Sequence, residues 1–151
     1  MPSDPPRALE VRGLTKTFGR RWALRGVDLA VREGVFLCIF GPNGAGKTTL
    51  IRVLSTLSKP TSGDVILAGV NLREDPVGVR RHLGVVTHQT LLYNDLTCHE
   101  NLRFYGRLYD VPKAEARIAE VASLVGLEGR LHDRVRSLSR GMQQRLSIAR
   151  A

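Results

Sequence analysis

The spacing of apolar positions along the 151-residue chain changes character near residue 88. Before that point the pattern is mostly that of strands. Leu9-Glu10-Val11-Arg12 alternates, which predicts a strand with one face toward a core. Gly13 to Arg21 reads as a turn-rich connection, and Trp22 to Val31 alternates again before the Glu33-Gly34 turn. Val35 to Phe40 is a run of six apolar residues. Four of them (Val35, Phe36, Ile39, Phe40) are β-branched or aromatic, which predicts a strand buried on both faces. Thr48 to Leu57 places Leu50, Val53, Leu54 and Leu57 on one face of a helix. Lys59-Pro60-Thr61-Ser62-Gly63 breaks the pattern, and Asp64 to Ala68 forms the next strand, closed by Gly69. Pro76 to His82 carries a single helical turn. Leu83 to Thr87 reads as a further short buried strand running into His88-Gln89.

Beyond Gln89 the period becomes helical. Thr97-Cys98-His99-Glu100 fits a capping box opening a helix to about Leu108. Asp110-Val111-Pro112 opens the next, with Pro112 in its first turn. Ile118, Val121, Leu124 and Val125 line its apolar face, and Gly126 ends it. Glu128 to Ser137 is polar and irregular. Ser139 suits the cap of a last helix, Met142 to Ala151, with Leu146, Ile148 and Ala149 as packing positions. The division expected is a loose polar tail at 1–7, an α/β core at 8–88 and a helical part at 89–151. No internal repeat or low-complexity segment is present.

Composition narrows the class without choosing a function. Hydrophobic residues make up 42% and charged residues 25%, ordinary values for a folded soluble chain with room for a core. The net charge of +9 favours anionic partners, such as ATP, a lipid headgroup layer or nucleic acid. The arginines are scattered, so no basic arm stands out. Cys38 and Cys98, the first placed in the core strand and the second in a loop, make neither a disulfide framework nor a metal motif, which points to a reducing compartment. His82, His88, His99 and His132 share no metal-ligand spacing. MPSDPPRALE lacks a signal-peptide core, and no apolar run is long enough to cross a bilayer.

The chemistry is concentrated after the apolar run, where Gly41, Gly46, Lys47 and Thr48 fit G-x-x-x-x-G-K-T. Glycines at 41, 44 and 46 let consecutive N–H groups converge on one anion, and the helix that follows points its positive end at the same place. Lys47 supplies a point charge for β- and γ-phosphates, the Thr48 hydroxyl is placed to ligate Mg²⁺, and Thr49 adds a bond to the α-phosphate. The bland alternative is a glycine-rich turn with a lone lysine.

With that loop, Gln89 after a strand, and LSRGMQQR (Leu138 to Arg145) in view, the chain resembles the ATP-binding subunit of an ABC transporter from about Leu9 to its last residue. The resemblance implies an α/β P-loop NTPase core with an antiparallel β edge layer and a helical subdomain. It implies that Phe18 stacks on adenine and that Gly41, Asn43, Gly44, Ala45, Gly46, Lys47, Thr48 and Thr49 hold the phosphates. Gln89 would touch Mg²⁺ and the attacking water while linking the site to the membrane subunit. Ser139 and Gly141 would donate to the γ-phosphate held by an opposite subunit. The family's signature is LSGGQ; here Arg140 and Met142 replace its first glycine and its glutamine. Taken singly, Phe18 reads as turn packing, Gln89 as a surface amide and Ser139 as a helix cap. ATP and Mg²⁺ are the implied cofactors. The implied partners are a membrane-spanning subunit and a second ATP-binding subunit in a head-to-tail dimer, at the cytoplasmic face of the cell membrane. His88 to Val111 followed by LSRGMQQR is similar to the ATPase of the haem exporter of cytochrome c maturation, a style shared by drug and polysaccharide exporters.

The same family carries an apolar strand ending in Asp-Glu, an Asp-containing loop and a histidine after its signature helix. No apolar run ending in Asp-Glu occurs in this sequence. The expectation is an ABC ATPase domain incomplete at its C-terminus, whose 151 residues bind nucleotide weakly without turning it over. DNA-repair and chromosome-maintenance ATPases share both motifs but separate them by a long coiled coil, absent here, which argues against nucleic acid as the partner. A GTPase switch would need N-K-x-D, which does not occur.

Overall fold

The structure, a computed structural model, describes residues 6–87 and 89–151. The expected tail at 1–7 falls mostly outside them, as does His88. Two compact units divide the chain, one ending at Leu83 and the other running from Gly84 to Ala151.

The first unit is built on a four-stranded antiparallel sheet of order β2-β1-β3-β4. β1 spans Arg7–Phe18 and β2 Arg21–Arg32; β3 is Ser62–Leu67 and β4 Val70–Asn71. Gly13 to Phe18, expected as a turn, instead continues β1. A register shift between Val11 and Leu14 absorbs Gly13, which has φ 53 and whose N–H donates to Asp28 Oδ1 at 2.7 Å. A bulge of this kind breaks the alternation that a period-two reading depends on. Helix α1, Lys47–Leu54, lays Leu50 and Val53 against Val11, Leu14, Leu24, Val65 and Leu67 of the sheet. It ends three residues before Leu57, which is exposed, because Thr56 takes φ 63. Helix α2, Pro76–Arg80, is capped by Asp75, whose carboxylate accepts the Gly78 N–H at 2.7 Å.

Two expected strands do not form. Val35 to Phe40 and Leu83 to Thr87 carry no ladder. A strand buried on both faces needs a neighbour for its N–H and C=O groups and a layer over each side. No described backbone supplies either. Phe36 and Phe40 are accordingly 89% and 88% exposed, Cys38 is exposed rather than in a core, and only Ile39 leans on the sheet's apolar cluster.

The second unit packs α3 (Cys98–Leu108), α4 (Ala114–Leu124) and α5 (Arg140–Arg150) around Cys98, Leu102, Ile118, Leu127, Val135, Leu138 and Leu146. The capping box forms: Thr97 Oγ1 accepts the Glu100 N–H at 3.1 Å and Glu100 Oε2 accepts the Thr97 N–H at 2.8 Å. Cys98 is the first residue of α3, not part of a loop, and burial pushes its thiol up from its ordinary value. Helix α4 starts two residues later than Pro112, after Lys113 in a left-handed conformation, and its buried face is Ile118 and Ala122, with Leu124 exposed. Gly126 (φ 65) follows its end as expected. Helix α5 begins at Arg140, a half-turn earlier than Met142; Leu146 is buried and Ile148 exposed. Among the described residues no helix is long and apolar enough to cross a membrane.

Candidate functional site

Residues 41 to 49 are curled. The Ala45 N–H donates to the Pro42 carbonyl at 3.3 Å, Gly44 and Gly46 take φ 84 and 88, and α1 starts at Lys47 directly behind them. Only glycine adopts such φ values without strain. Gly46 has a second constraint: a Cβ there would lie 2.5 Å from the Ala23 carbonyl oxygen and 3.0 Å from Leu24 Cδ2. The close approach seats the start of α1 against the beginning of β2. Lys47 folds its chain back over the loop, with Nζ donating to the Gly41 and Pro42 carbonyls at 2.6 and 2.7 Å. Its charge is therefore held over the start of the loop, ahead of α1, whose first N–H groups have no partner within the helix. Asn43, Thr48 and the loop glycines 41 and 44 are exposed, and Ala45 is exposed beside them; Thr49 is half-buried.

Phe18 closes the β1–β2 hairpin opposite Arg21, two residues from Ala23 on which Gly46 rests. Two residues of strand span roughly 7 Å. The Lys16 ammonium lies 5.0 Å from the Phe18 ring centroid, and the ring remains 55% exposed. An aromatic ring this exposed is free to meet a planar ligand on the face that Lys16 does not cover.

Gln89, Ser139 and Gly141 belong to the second unit. Ser139 caps α5, its Oγ accepting the Met142 N–H at 3.3 Å, and Gly141 has open space around its Cα. A groove of about 550 Å³ is lined by Gln89, Thr90 and Leu91 on one side and by Arg140, Gln143 and Gln144 on the other. Electrostatics separates the helices. Helices α3 and α4 carry Glu100 and Glu115 in their first turns, whereas α1 and α5 carry no acidic residue there. Helix α5 even begins with Arg140, a cation at the positive end of the dipole, an arrangement that costs about 0.3–1 kcal/mol unless an anion is bound. Glu100 and Glu115 are both held below the usual carboxylate range, Glu100 by the Thr97 backbone N–H and Glu115 by the hydrogen bond from His99 at 2.7 Å. His99 thus ties α3 to α4, a role its spacing did not signal. Among the described residues no group of three or more His, Cys, Asp and Glu is placed to hold a metal ion.

Some of the side chains that organise this region are invisible to motif reading. Gln143 Nε2 donates to the Val135 and Leu138 carbonyls at 3.1 and 3.3 Å, fixing the approach to Ser139. Arg145 donates to the Val125 and Gly126 carbonyls at 3.0 and 3.3 Å, closing the C-terminus of α4. Both sit inside LSRGMQQR, but their partners are carbonyls 5 to 20 residues away, which no local spacing signals.

The family described as ABC transporter matches residues 24–151. The linearmycin resistance ATP-binding protein LnrL of Bacillus subtilis (strain 168) is 34% identical over 145 residues, 95% of this chain and 47% of LnrL. The chain thus spans about half the length of the curated relatives it matches. Among solved structures, the ATP-binding subunit of an ABC transporter superposes with a TM-score of 0.84 at 31% identity, over 95% of this chain and 61% of the other. The dimeric ATP-binding cassette MJ0796, in a post-hydrolysis state bound to ADP and Pi, gives 0.78 at 29% identity over 94% and 68%.

Proposed function

The chain belongs to the ABC transporter family, and from that premise we propose that it is the nucleotide-gripping part of a transport ATPase. Its loop 41–49 holds Mg-ATP and its α5 N-terminus reaches the γ-phosphate held by a second copy or a homologue. The observation that carries this is the curled loop with Lys47 folded into it ahead of α1. In this reading Lys47 neutralises the β- and γ-phosphates, Thr48 holds Mg²⁺ and Phe18 stacks the adenine. Gln89 orients the attacking water and reports the state of the site to a membrane-spanning subunit. Phosphoryl transfer is mostly positioning and charge neutralisation, so these roles account for binding and signalling. Polarising the water needs a carboxylate that none of the residues described at this site supplies. The dimeric structure of MJ0796 supports a two-subunit arrangement. Location at the cytoplasmic face of a membrane follows from the same reading.

Two narrower readings of the cargo compete. Haem export has the resemblance of His88 to Val111 in its favour; export of a drug-like molecule is favoured by the resistance name of LnrL. The function is tested in the intact protein reconstituted with its membrane subunit. Lys47→Ala abolishes ATP-driven transport, and Gln89→Ala lowers transport per ATP hydrolysed more than it weakens ATP binding. Transport that persists in Lys47→Ala would sink the proposal.

A further inference from the structure

The irregular backbone around Gln89 is held by side chains from α3 and α5, all within the second unit. Ser147, fully buried on α5, donates its hydroxyl to the Thr90 carbonyl at 3.2 Å. Tyr105 on α3 donates its hydroxyl to the Leu91 carbonyl at 2.7 Å. Asn101, also fully buried, accepts the Tyr93 N–H at 2.8 Å on Oδ1 and donates Nδ2 to the Tyr93 carbonyl at 3.0 Å. On the other side of Gln89, Arg150 donates to the Val85 carbonyl at 3.1 Å while its guanidinium lies 4.9 Å from the Tyr105 ring centroid. Backbone carbonyls outside any ladder need such partners when water is excluded.

The placement of these residues is informative. On α3 the series Cys98, Asn101, Leu102, Tyr105 occupies i, i+3, i+4, i+7, and on α5 the series Gln143, Leu146, Ser147, Arg150 does the same. Those are the positions that face a core. Packing alone is served by apolar side chains there, and buried polar ones are tolerated only when bonded. Here each of the polar ones is bonded to a backbone carbonyl, four of them within four residues of Gln89. Helix α5 is unbroken from Ser139 to Arg150, about 16 Å at 1.5 Å per residue. Its first turn also faces Gln89 across the groove that Arg140 and Gln143 line.

We infer that Ser147 on α5, with Tyr105 and Asn101 on the α3 helix packed beside it, are positioning residues that lock the backbone after Gln89 to these two helices, so that Ser139 and Gln89 move as one lever. The inference rests on the roles given above to Ser139 and Gln89. Contact of Ser139 with a γ-phosphate would then shift Gln89 through α5 itself.

Amide hydrogen exchange on the intact protein, with and without the Mg-bound non-hydrolysable analogue AMP-PNP, tests it. In the wild type, residues 139–143 and 89–93 gain protection with the same midpoint concentration. In the pair Tyr105→Phe and Ser147→Ala, the response of 139–143 and its midpoint stay within about twofold, while the response of 89–93 shrinks several-fold. Tyr105→Phe keeps the ring under Arg150, and Ser147→Ala leaves no large void, so a purely structural role predicts equal loosening of both segments. Should both segments still respond in step in the double variant, or both weaken together, the lever is wrong. Should neither respond in the wild type, the phosphate-sensing role of α5 fails first, and the lever with it.

Discussion

At the scale of single residues, the site is decided by where a Cβ is forbidden and where a charge is folded inward. Gly46 combines a left-handed φ with contact against the Ala23 carbonyl. Gly46→Ala is therefore expected to destabilise the loop by about 1–3 kcal/mol, seen as a lower thermal midpoint accompanied by weaker ATP binding. An unchanged midpoint would mean the loop relaxes freely and is not preorganised. Much of this was legible beforehand. G-x-x-x-x-G-K-T names its own glycines and lysine, because the conformation and the charge are both local requirements. Ser139 and the Thr97–Glu100 box were legible for the same reason, since a cap is satisfied within four residues. Ser147, Asn101 and Tyr105 were not, because their partners are carbonyls 8 to 57 residues away in sequence.

At the scale of elements, helix ends follow chemistry and strands follow company. Val35 to Phe40 has the composition of a buried strand, yet composition cannot supply a ladder, and the described sheet closes on β2-β1-β3-β4 without it. Gly13 to Phe18 errs the other way: glycine, threonine and lysine look like a turn, while pairing of Leu14 to Phe18 with β2, and of Thr15 with β3, keeps the strand going past the bulge at Gly13. The capping box of α3 makes a pH-dependent contribution whose sign is fixed. Glu100 has a folded value below its unfolded one of about 4.3, so its stabilisation is complete above that value and is lost as pH falls through the folded value. Acid unfolding of Glu100→Gln, followed by circular dichroism from pH 6 to pH 2, is expected to show a shallower loss of stability than the wild type. Parallel curves would remove Glu100 from the account.

At the scale of the whole molecule, each unit has its own core, and the apolar stretch at 35–40, Ile39 excepted, is left outside both. An exposed, unpaired apolar segment templates association. The 151-residue chain is expected to self-associate with rising concentration, and Phe36→Ser with Phe40→Ser to suppress this in light scattering while leaving the loop 41–49 able to bind nucleotide. A monodisperse wild-type chain at high concentration would show that segment to be covered. The account nonetheless depends most on what residues 41 to 49 hold. Calorimetric titration of Mg-ATP into this chain and into its Lys47→Ala variant addresses that directly. Removing a charged donor costs about 1.5–3 kcal/mol, so binding is predicted to weaken by roughly 10–100-fold. No binding by the wild-type chain, or equal affinity in the two, would contradict the claim that this loop exists to grip a triphosphate.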